Sequence, residues 1–294
     1  MILACIDIGT NTTRLLVADA HAHGLRELES QRAFTRIGRV LRDHGSIPRD
    51  TIEETAAVVA AQARLAREIG AEQVLAVATA AIRDARNREE LAAAVEDSGG
   101  MPLWVLTAEE EARLSFVGAT RTLPDEPEGP IAVVDVGGGS SEVAIGDADG
   151  TMRWSESFGI GSGVLADRFL TSDPPSEAEL EAARRHVHDA LAGLRSPPAR
   201  TGVAVGGTAT SMRRLVGGEL SPEALEGGIG VLATAPIAEV AARYELDPER
   251  VRLLPAGILL LEAFSERLGL RLRIARGGLR EGAIVELLTA RGGE

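Results

Sequence analysis

Residues 4–19 read ACIDIGTNTTRLLVAD, and residues 132–147 read AVVDVGGGSSEVAIGD. The two stretches place Asp at the fourth position, Gly at the sixth and hydroxyl side chains at the ninth and tenth, at a constant offset of 128 residues. Each stretch is typical of a β-hairpin, because a short apolar run leads into small turn residues and then into a second aliphatic run. The repeat predicts two related lobes.

The segments around the hairpins indicate where the lobes divide. The stretch TLPDEPEGP at 122–130 carries three prolines directly before the second hairpin, which is typical of a linker. We therefore expect an N-terminal lobe over residues 1–127 and a C-terminal lobe over residues 128–294. After each hairpin, strand patterns alternate with helical patterns such as the one at 48–70. This order predicts an α/β protein with two lobes of mixed sheets, helices on the sheet faces and a cleft between the lobes.

The charged residues exclude several classes of protein. The sequence has 31 Lys and Arg residues in total, and all of them are arginine. Without lysine the chain is neither a P-loop NTPase nor an enzyme that forms a Schiff base through Lys. Its net charge of −13 disfavours a nucleic-acid partner. One cysteine, and no apolar run of about 20 residues, favour a cytoplasmic protein without a membrane span.

The two hairpin turns carry the residue types that bind a metal ion and a phosphate group together. An Asp at a strand end offers a carboxylate to a divalent cation, and a turn of small residues exposes backbone N–H groups to an anion. The metal ligands predicted in this way are Asp7 and Asp135. The predicted phosphate-binding residues are Gly9, Thr10, Asn11, Gly137, Gly138, Gly139, Ser140 and Ser141. The alternative is a pair of ordinary hairpins in which Gly and Asn only supply a positive φ angle.

Six segments, the two hairpins among them, resemble one family in the family's order and approximate spacing. They are the opening motif at 4–19, ATAAIRDARN at 78–87, LTAEEEARLSFVGA at 106–119, VVDVGGGSSEVAIG at 133–146, GVAVGGTAT at 202–210 and RGGLREGAI at 276–284. The chain is similar to the exopolyphosphatase and guanosine pentaphosphate phosphatase (Ppx/GppA) family, within the actin-like ATPase superfamily. The resemblance covers nearly the whole chain and implies that both lobes are RNase H-like.

The resemblance implies roles for two residues outside the turns. Glu111 directly precedes Ala-Arg-Leu and matches the family's catalytic glutamate, a carboxylate that orients and deprotonates the attacking water. Arg83 matches an arginine that holds a phosphate group, for which a guanidinium is well suited. The alternatives are structural. Glu111 would only favour the dipole of its helix, and Arg83 would only pair with Asp84 or Glu89.

The same resemblance assigns a second catalytic carboxylate and a further phosphate-binding turn. Glu142 stands where the first hairpin has Arg14, and it would hold metal or water; the alternative is a strand residue that faces solvent. The further turn follows an apolar strand and opens a helix, so it would bind phosphate or serve only as a tight connection. Its residues are Gly206, Gly207 and Thr208. Val164 departs from the pattern, because the family usually has Arg at this position.

The function implied by the resemblance is a Mg²⁺- or Mn²⁺-dependent exopolyphosphatase that releases terminal orthophosphate from inorganic polyphosphate. Longer family members carry C-terminal helical domains, so the resemblance implies a preference for short chains, and it also implies a homodimer. The alternative within the family is hydrolysis of guanosine pentaphosphate. Outside the family, the alternatives are a small-molecule kinase of the same superfamily and a regulatory nucleotide-binding protein without catalysis.

Overall fold

The computed structural model describes residues 1–21, 24–125 and 127–292, without the side chains of 42–44, 291 and 292. The strands are β1 (Ile2–Ile8), β2 (Thr13–His21), β3 (Gly24–Ala33), β4 (Gln73–Ala78), β5 (Leu103–Val105), β6 (Ile131–Val136), β7 (Ser141–Gly146), β8 (Met152–Phe158), β9 (Thr201–Val205), β10 (Glu219–Leu220) and β11 (Leu272–Ile274). The helices are α1 (Ile37–His44), α2 (Arg49–Glu68), α3 (Ala80–Arg83), α4 (Arg88–Gly99), α5 (Ala108–Arg121), α6 (Ser162–Phe169), α7 (Glu177–Ala190), α8 (Gly206–Val216), α9 (Pro222–Thr234), α10 (Ile237–Tyr244), α11 (Pro248–Leu268) and α12 (Leu279–Gly292).

The chain forms two compact units. Unit 1 consists of Met1–Thr122 together with the chain from Leu279, and unit 2 is Leu123–Gly278. Unit 1 contains a five-stranded sheet in the order β3-β2-β1-β4-β5, and unit 2 a six-stranded sheet in the order β10-β11-β9-β6-β7-β8. Both sheets mix parallel and antiparallel pairs and are accompanied by helices, so the predicted α/β class is confirmed.

Both predicted hairpins form, and each gains a third antiparallel strand that the sequence did not predict. β1 pairs with β2 and β2 with β3, while β6 pairs with β7 and β7 with β8. Strands β3 and β8 show no clear alternation of apolar and polar residues, and many of their residues are exposed or half-buried. Their position therefore depends on pairing with the hairpin more than on burial of their own side chains.

Strand β1 divides the core of unit 1 into two faces, because successive side chains on a strand point to opposite sides of the sheet. Ala4, Ile6 and Ile8 join a buried cluster with residues of α2 and α4. Leu3 and Cys5 join a second cluster with residues of α5 and α12. Burial raises the pKa of the Cys5 thiol, so this cysteine is an inert core residue.

The last helix, α12, packs in unit 1 although the sequence assigned it to the C-terminal lobe of 128–294. Ala283 and Ile284 are buried in the cluster that contains Leu3 and Cys5. Arg280 Nη1 donates a hydrogen bond to the Leu15 carbonyl oxygen, 3.0 Å away, which ties α12 to β2. The predicted lobes therefore differ from the observed units in this helix, since its apolar face complements α5 and β1. Residues 293 and 294 lie outside the described residues.

The core of unit 2 surrounds α11. The residues of α11 from Leu253 to Leu261 are all buried. The side chains of Leu254, Ile258 and Leu260 are fully buried. Gly257 lets this helix approach Thr208 closely, because a Cβ built at Gly257 would lie 2.4 Å from Thr208 Cγ2. In the part of the chain that the structure describes, no helix combines the length and the apolar character that crossing a membrane requires.

Candidate active site

The predicted site residues of unit 1 lie at one edge of its sheet. Strands β1, β4 and β5 are parallel, so their carboxyl ends meet at the same edge. The turn with Gly9 follows β1, Arg83 ends the short helix after β4, and Leu106 follows β5. In α/β sheets this edge is where ligands bind. The fold thus brings together segments that are far apart in sequence.

The first turn is held through its carbonyl groups, which leaves amide donors for a ligand. The Thr10 carbonyl accepts from the Gly38 N–H at 2.8 Å, and the Asn11 carbonyl accepts from the Arg36 N–H at 3.0 Å. Among the described residues, the N–H groups of Thr10 and Asn11 donate no hydrogen bond, and Asn11 Nδ2 is buried without a partner. Such a row of donors at a tight turn suits an oxyanion. Gly9 closes the turn with an N–H bond of 3.0 Å to the Thr12 carbonyl.

The second turn is held in the same way by the start of α6. The Gly137 carbonyl accepts from the Ser162 N–H at 2.9 Å, and the Gly138 carbonyl accepts from the Val164 N–H at 3.1 Å. The N–H groups of the next three residues make no hydrogen bond within the described ranges; they belong to Gly138, Gly139 and Ser140. The turn therefore presents three successive donors.

Two details of this turn were not predicted. Val164, which lacks the guanidinium usual in the family, still supports the turn through its backbone N–H. The Ser141 side chain donates to the Ile160 carbonyl at 2.7 Å and is fully buried, so its hydroxyl serves the structure of unit 2. Arg168, which lies on α6, makes a different contact: its guanidinium lies 5.2 Å from the ring centroid of Phe169.

The turn at the start of α8 approaches the Asp135 carboxylate closely. Gly206 has φ +84°, and a Cβ built there would lie 2.4 Å from Asp135 Oδ1. Only glycine combines this backbone angle with this approach. Thr208 behaves differently, because its side chain is buried against Gly257 and its Oγ1 has no hydrogen-bond partner among the described residues. The first-turn N–H groups of α8 are the donors that Gly206, Gly207 and Thr208 offer to an anion.

A row of polar side chains crosses three strands of unit 2. Asp135 on β6 is directly opposite Glu142 on β7, which is directly opposite Ser157 on β8. Residues paired in this way share a face of the sheet. Glu142 is only 2% exposed, so the solvent-facing alternative is wrong. Ser157 Oγ donates to Glu142 Oε1 at 2.9 Å. Sequence reasoning missed Ser157 because it missed β8.

The carboxylates of Asp135 and Glu142 are better suited to binding a hydrated Mg²⁺ or Mn²⁺ than to forming a metal site in which every ligand is a side chain. The described residues contain no group of three or more His, Cys, Asp or Glu side chains that could hold a metal ion. Mg²⁺ usually keeps several waters and is bound by one or two carboxylates plus the phosphates of its substrate. Asp135 and Glu142, which face each other on neighbouring strands, are two carboxylates of this donor type. In unit 1, Asp7 is directly opposite Arg14 and shares the sheet face with Cys5.

Glu111 is a buried carboxylate at the start of α5. The helix begins with a capping box, in which Glu110 Oε2 accepts from the Thr107 N–H at 2.8 Å. Glu111 is 8% exposed, and its Oε2 accepts from Arg83 Nη1 at 3.0 Å. Arg83 Nη1 also donates to the Leu106 carbonyl at 2.9 Å. The ion pair of Arg83 is therefore with Glu111, and the alternative pairing with Asp84 or Glu89 is absent among the described contacts.

Asn87 has a residue type that is typical of a helix N-cap, but its side chain has a different role. It stands at the N-cap position of α4 but makes no capping hydrogen bond through its side chain. Its Oδ1 accepts from the Ile47 N–H at 2.8 Å, and its Nδ2 donates to the Ile47 carbonyl at 2.9 Å. The side chain thus fixes the segment before α2, because two-point pairing with a backbone outweighs one capping bond.

The chain is similar to known proteins over almost its full length. A model of the Ppx/GppA phosphatase family matches residues 16–291. Exopolyphosphatase 2 of Mycobacterium tuberculosis is 32% identical, over 90% of this chain and 90% of the relative. A crystal structure of the Aquifex aeolicus Ppx/GppA family member superposes with a TM-score of 0.84 at 30% identity, covering 99% of this chain and 98% of that one. An exopolyphosphatase from Cytophaga hutchinsonii has the same fold, with a TM-score of 0.87 at 21% identity and coverage of 99% and 98%.

Proposed function

Because the chain belongs to the Ppx/GppA phosphatase family, we propose that it is an exopolyphosphatase that releases terminal orthophosphate from short polyphosphate chains. The observation that carries the proposal is the contact between Glu111 and Arg83. It joins a buried carboxylate to a phosphate-binding type of side chain at the edge where β1, β4 and β5 end. Structural ion pairs are common, but this one lies beside a turn with unused amide donors.

In the proposed reaction, water attacks the terminal phosphorus while Glu111 takes its proton. The bond between that phosphorus and the bridging oxygen breaks, which leaves orthophosphate and a chain one phosphate shorter. Arg83 and the N–H groups of the turn after β1 bind the oxygens of the terminal phosphate, where negative charge must be stabilised. No lysine is needed, since arginine, turn amides and a divalent cation supply all the positive charge.

We propose Asp135 and Glu142 of unit 2 as side chains that hold Mg²⁺ or Mn²⁺, and Asp7 of unit 1 as a further carboxylate suited to the same kind of cation. When bound, the cation neutralises phosphate charge and helps to orient the substrate. The side chains themselves provide only oxygen ligands, which is the donor type that these hard cations prefer. Ser157 orients Glu142 through its hydrogen bond.

Substituting Ser157→Ala is expected to weaken Mn²⁺ binding by about 10-fold, because loss of an outer partner loosens a metal-binding carboxylate. Titration of free Mn²⁺ by electron paramagnetic resonance measures this without any substrate. Ser155→Ala is the matched control, since Ser155 lies on the same face of β8 but opposite Ala144. Ser157→Thr, which keeps the hydroxyl, should restore the affinity. Equal affinities in Ser157→Ala and the control would contradict the proposed role.

The substrate is tested by measuring phosphate release from tripolyphosphate, long-chain polyphosphate and guanosine pentaphosphate in parallel, with Mg²⁺ or Mn²⁺. We expect tripolyphosphate to turn over fastest. The net charge of −13 repels a long polyanion, while the turns bind only its end. Faster turnover of long chains would refute the chain-length preference, and a strong preference for guanosine pentaphosphate would assign the nucleotide activity instead. ATP consumption that requires a sugar acceptor would indicate a kinase, and no release from any substrate would favour a regulatory protein.

The homodimer implied by the family resemblance stays a prediction. Size-exclusion chromatography with light scattering measures the mass of the particle directly. A mass of one chain at assay concentrations would refute the homodimer and would leave the proposed reaction unaffected.

A further inference from the structure

The guanidinium of Arg83 is anchored on one side by two acceptors. Its Nη1 carries two hydrogens, and there are two acceptors within hydrogen-bond distance of it: the Leu106 carbonyl at 2.9 Å and Glu111 Oε2 at 3.0 Å. The side chains of Arg83 and Glu111 are 22% and 11% exposed, so the pair is largely shielded from water. Arg83 thus holds both the carboxylate of Glu111 and the segment that leads into α5.

The backbone of Arg83 is fixed as well. Its N–H donates to the Thr79 carbonyl at 3.1 Å, and its own carbonyl accepts from Arg88 Nη1 at 3.0 Å. The guanidinium is planar, so holding Nη1 and the backbone leaves it little freedom.

The opposite edge of the same guanidinium carries the remaining donors. Nε and Nη2 hold three further N–H bonds. These three donate to no residue within the described ranges. An arginine fork of this kind matches two oxygens of a phosphate group. The Arg83 guanidinium therefore has one edge that bonds to the protein and a second edge whose N–H groups are available to a ligand.

We propose that Arg83 bridges the base and the substrate: its Nη1 edge positions Glu111 while its Nε–Nη2 edge binds the terminal phosphate. This inference rests on the proposed function and adds a positioning role to phosphate binding. A carboxylate and a phosphate repel each other, and a cation between them offsets that repulsion. The rigid fork also sets the distance and angle between the base and the phosphorus. Misplacing reacting groups by about 1 Å costs about 100-fold in rate.

The substitution Arg83→Lys tests the bridge, because a lysine ammonium is a point charge without a second edge. We expect kcat for tripolyphosphate to fall by about 100-fold, while KM rises by less than about 10-fold since the positive charge remains. A residue that only binds phosphate would give the opposite split, with a raised KM and a nearly unchanged kcat.

Arg113→Lys is the matched control. Arg113 lies on the same helix as Glu111 and also forms an ion pair, with Glu286 of α12. Its substitution perturbs α5 without touching the base, so kcat should stay within about twofold of the parent. Binding of tripolyphosphate is measured in the Glu111→Gln background, where chemistry is blocked. There, Arg83→Lys should weaken the dissociation constant by less than about 10-fold.

The outcomes separate this inference from the proposed function. If Arg83→Lys changes only KM, the bridge is refuted and the proposed function stands. If Glu111→Gln keeps near-full turnover, the bridge and the base role of Glu111 are refuted while the activity stands. If the parent protein releases no phosphate from tripolyphosphate, the proposed function is refuted. If Arg83→Lys does not fold, Arg83→Ala supplies the test. Added methylguanidinium should then restore part of kcat and added methylammonium should not, and an equal response to the two ions would refute the bridge.

Discussion

Glu111→Gln is expected to lower kcat for tripolyphosphate by between about 100-fold and 10,000-fold, the usual contribution of a positioned general base. The amide keeps the shape of the side chain and can still accept a hydrogen bond from Arg83, but it cannot take a proton from water. Tripolyphosphate binding should therefore persist. Phosphate release under saturating substrate measures the first effect, and calorimetric titration measures the second.

Glu109→Gln is the matched control for this substitution. Glu109 lies two residues earlier in the first turn of α5 and is exposed. If the acidic first turn serves only the helix dipole, the two variants should lose a similar, small amount of stability and no activity. Loss of turnover in Glu111→Gln alone supports catalysis, and equal turnover in the two variants would show that Glu111 is structural.

Gly282→Ala is expected to destabilise unit 1 by about 3 kcal/mol, at the upper end of the cost of overpacking. A Cβ at this position would lie 1.9 Å from the Leu114 carbonyl oxygen and 3.0 Å from the Gly118 nitrogen. Both atoms belong to the backbone of α5, so no side chain can rotate away and the helices must separate. Urea unfolding followed by Trp104 fluorescence in a Trp154→Phe background reports on unit 1.

Gly227→Ala serves as the control for Gly282→Ala, and because Gly227 lies in unit 2 its unfolding is followed by Trp154 fluorescence in a Trp104→Phe background. Gly227 lies within α9, and a Cβ built there meets nothing within 4 Å. Alanine should therefore stabilise the helix by about 0.5–1 kcal/mol, because glycine loses more conformational freedom on folding. Similar small effects of the two substitutions would contradict the close approach of α12 to α5.

Much of the fold followed from local patterns. The two hairpins and the helix at 48–70 were predicted from turn residues and apolar periodicity, and the structure confirms them. The family was likewise confirmed by the match over residues 16–291. Patterns of this kind are readable because each depends on residues within one turn or one hairpin of each other.

Other features depend on residues distant in sequence, and local patterns did not show them. Strands β3 and β8 form by pairing with a neighbouring hairpin, and their own residues alternate poorly. The side chain of Thr208 packs against Gly257, whose missing Cβ leaves the space. Asn87 has a residue type that is typical of a helix N-cap, but it pairs with Ile47, 40 residues away.

The sequence by itself determined that each hairpin has an Asp before its turn and small residues within the turn. Hairpin geometry and the exposure of the turn's backbone N–H groups follow from such local residue types. The tertiary structure alone decided that Glu111 meets Arg83, 28 residues away, and that α12 returns to unit 1. Parallel strands bring their carboxyl ends to one edge whatever lies between them in sequence. Packing of apolar faces then selects which helix covers which side of the sheet, and neither choice is visible in a local pattern.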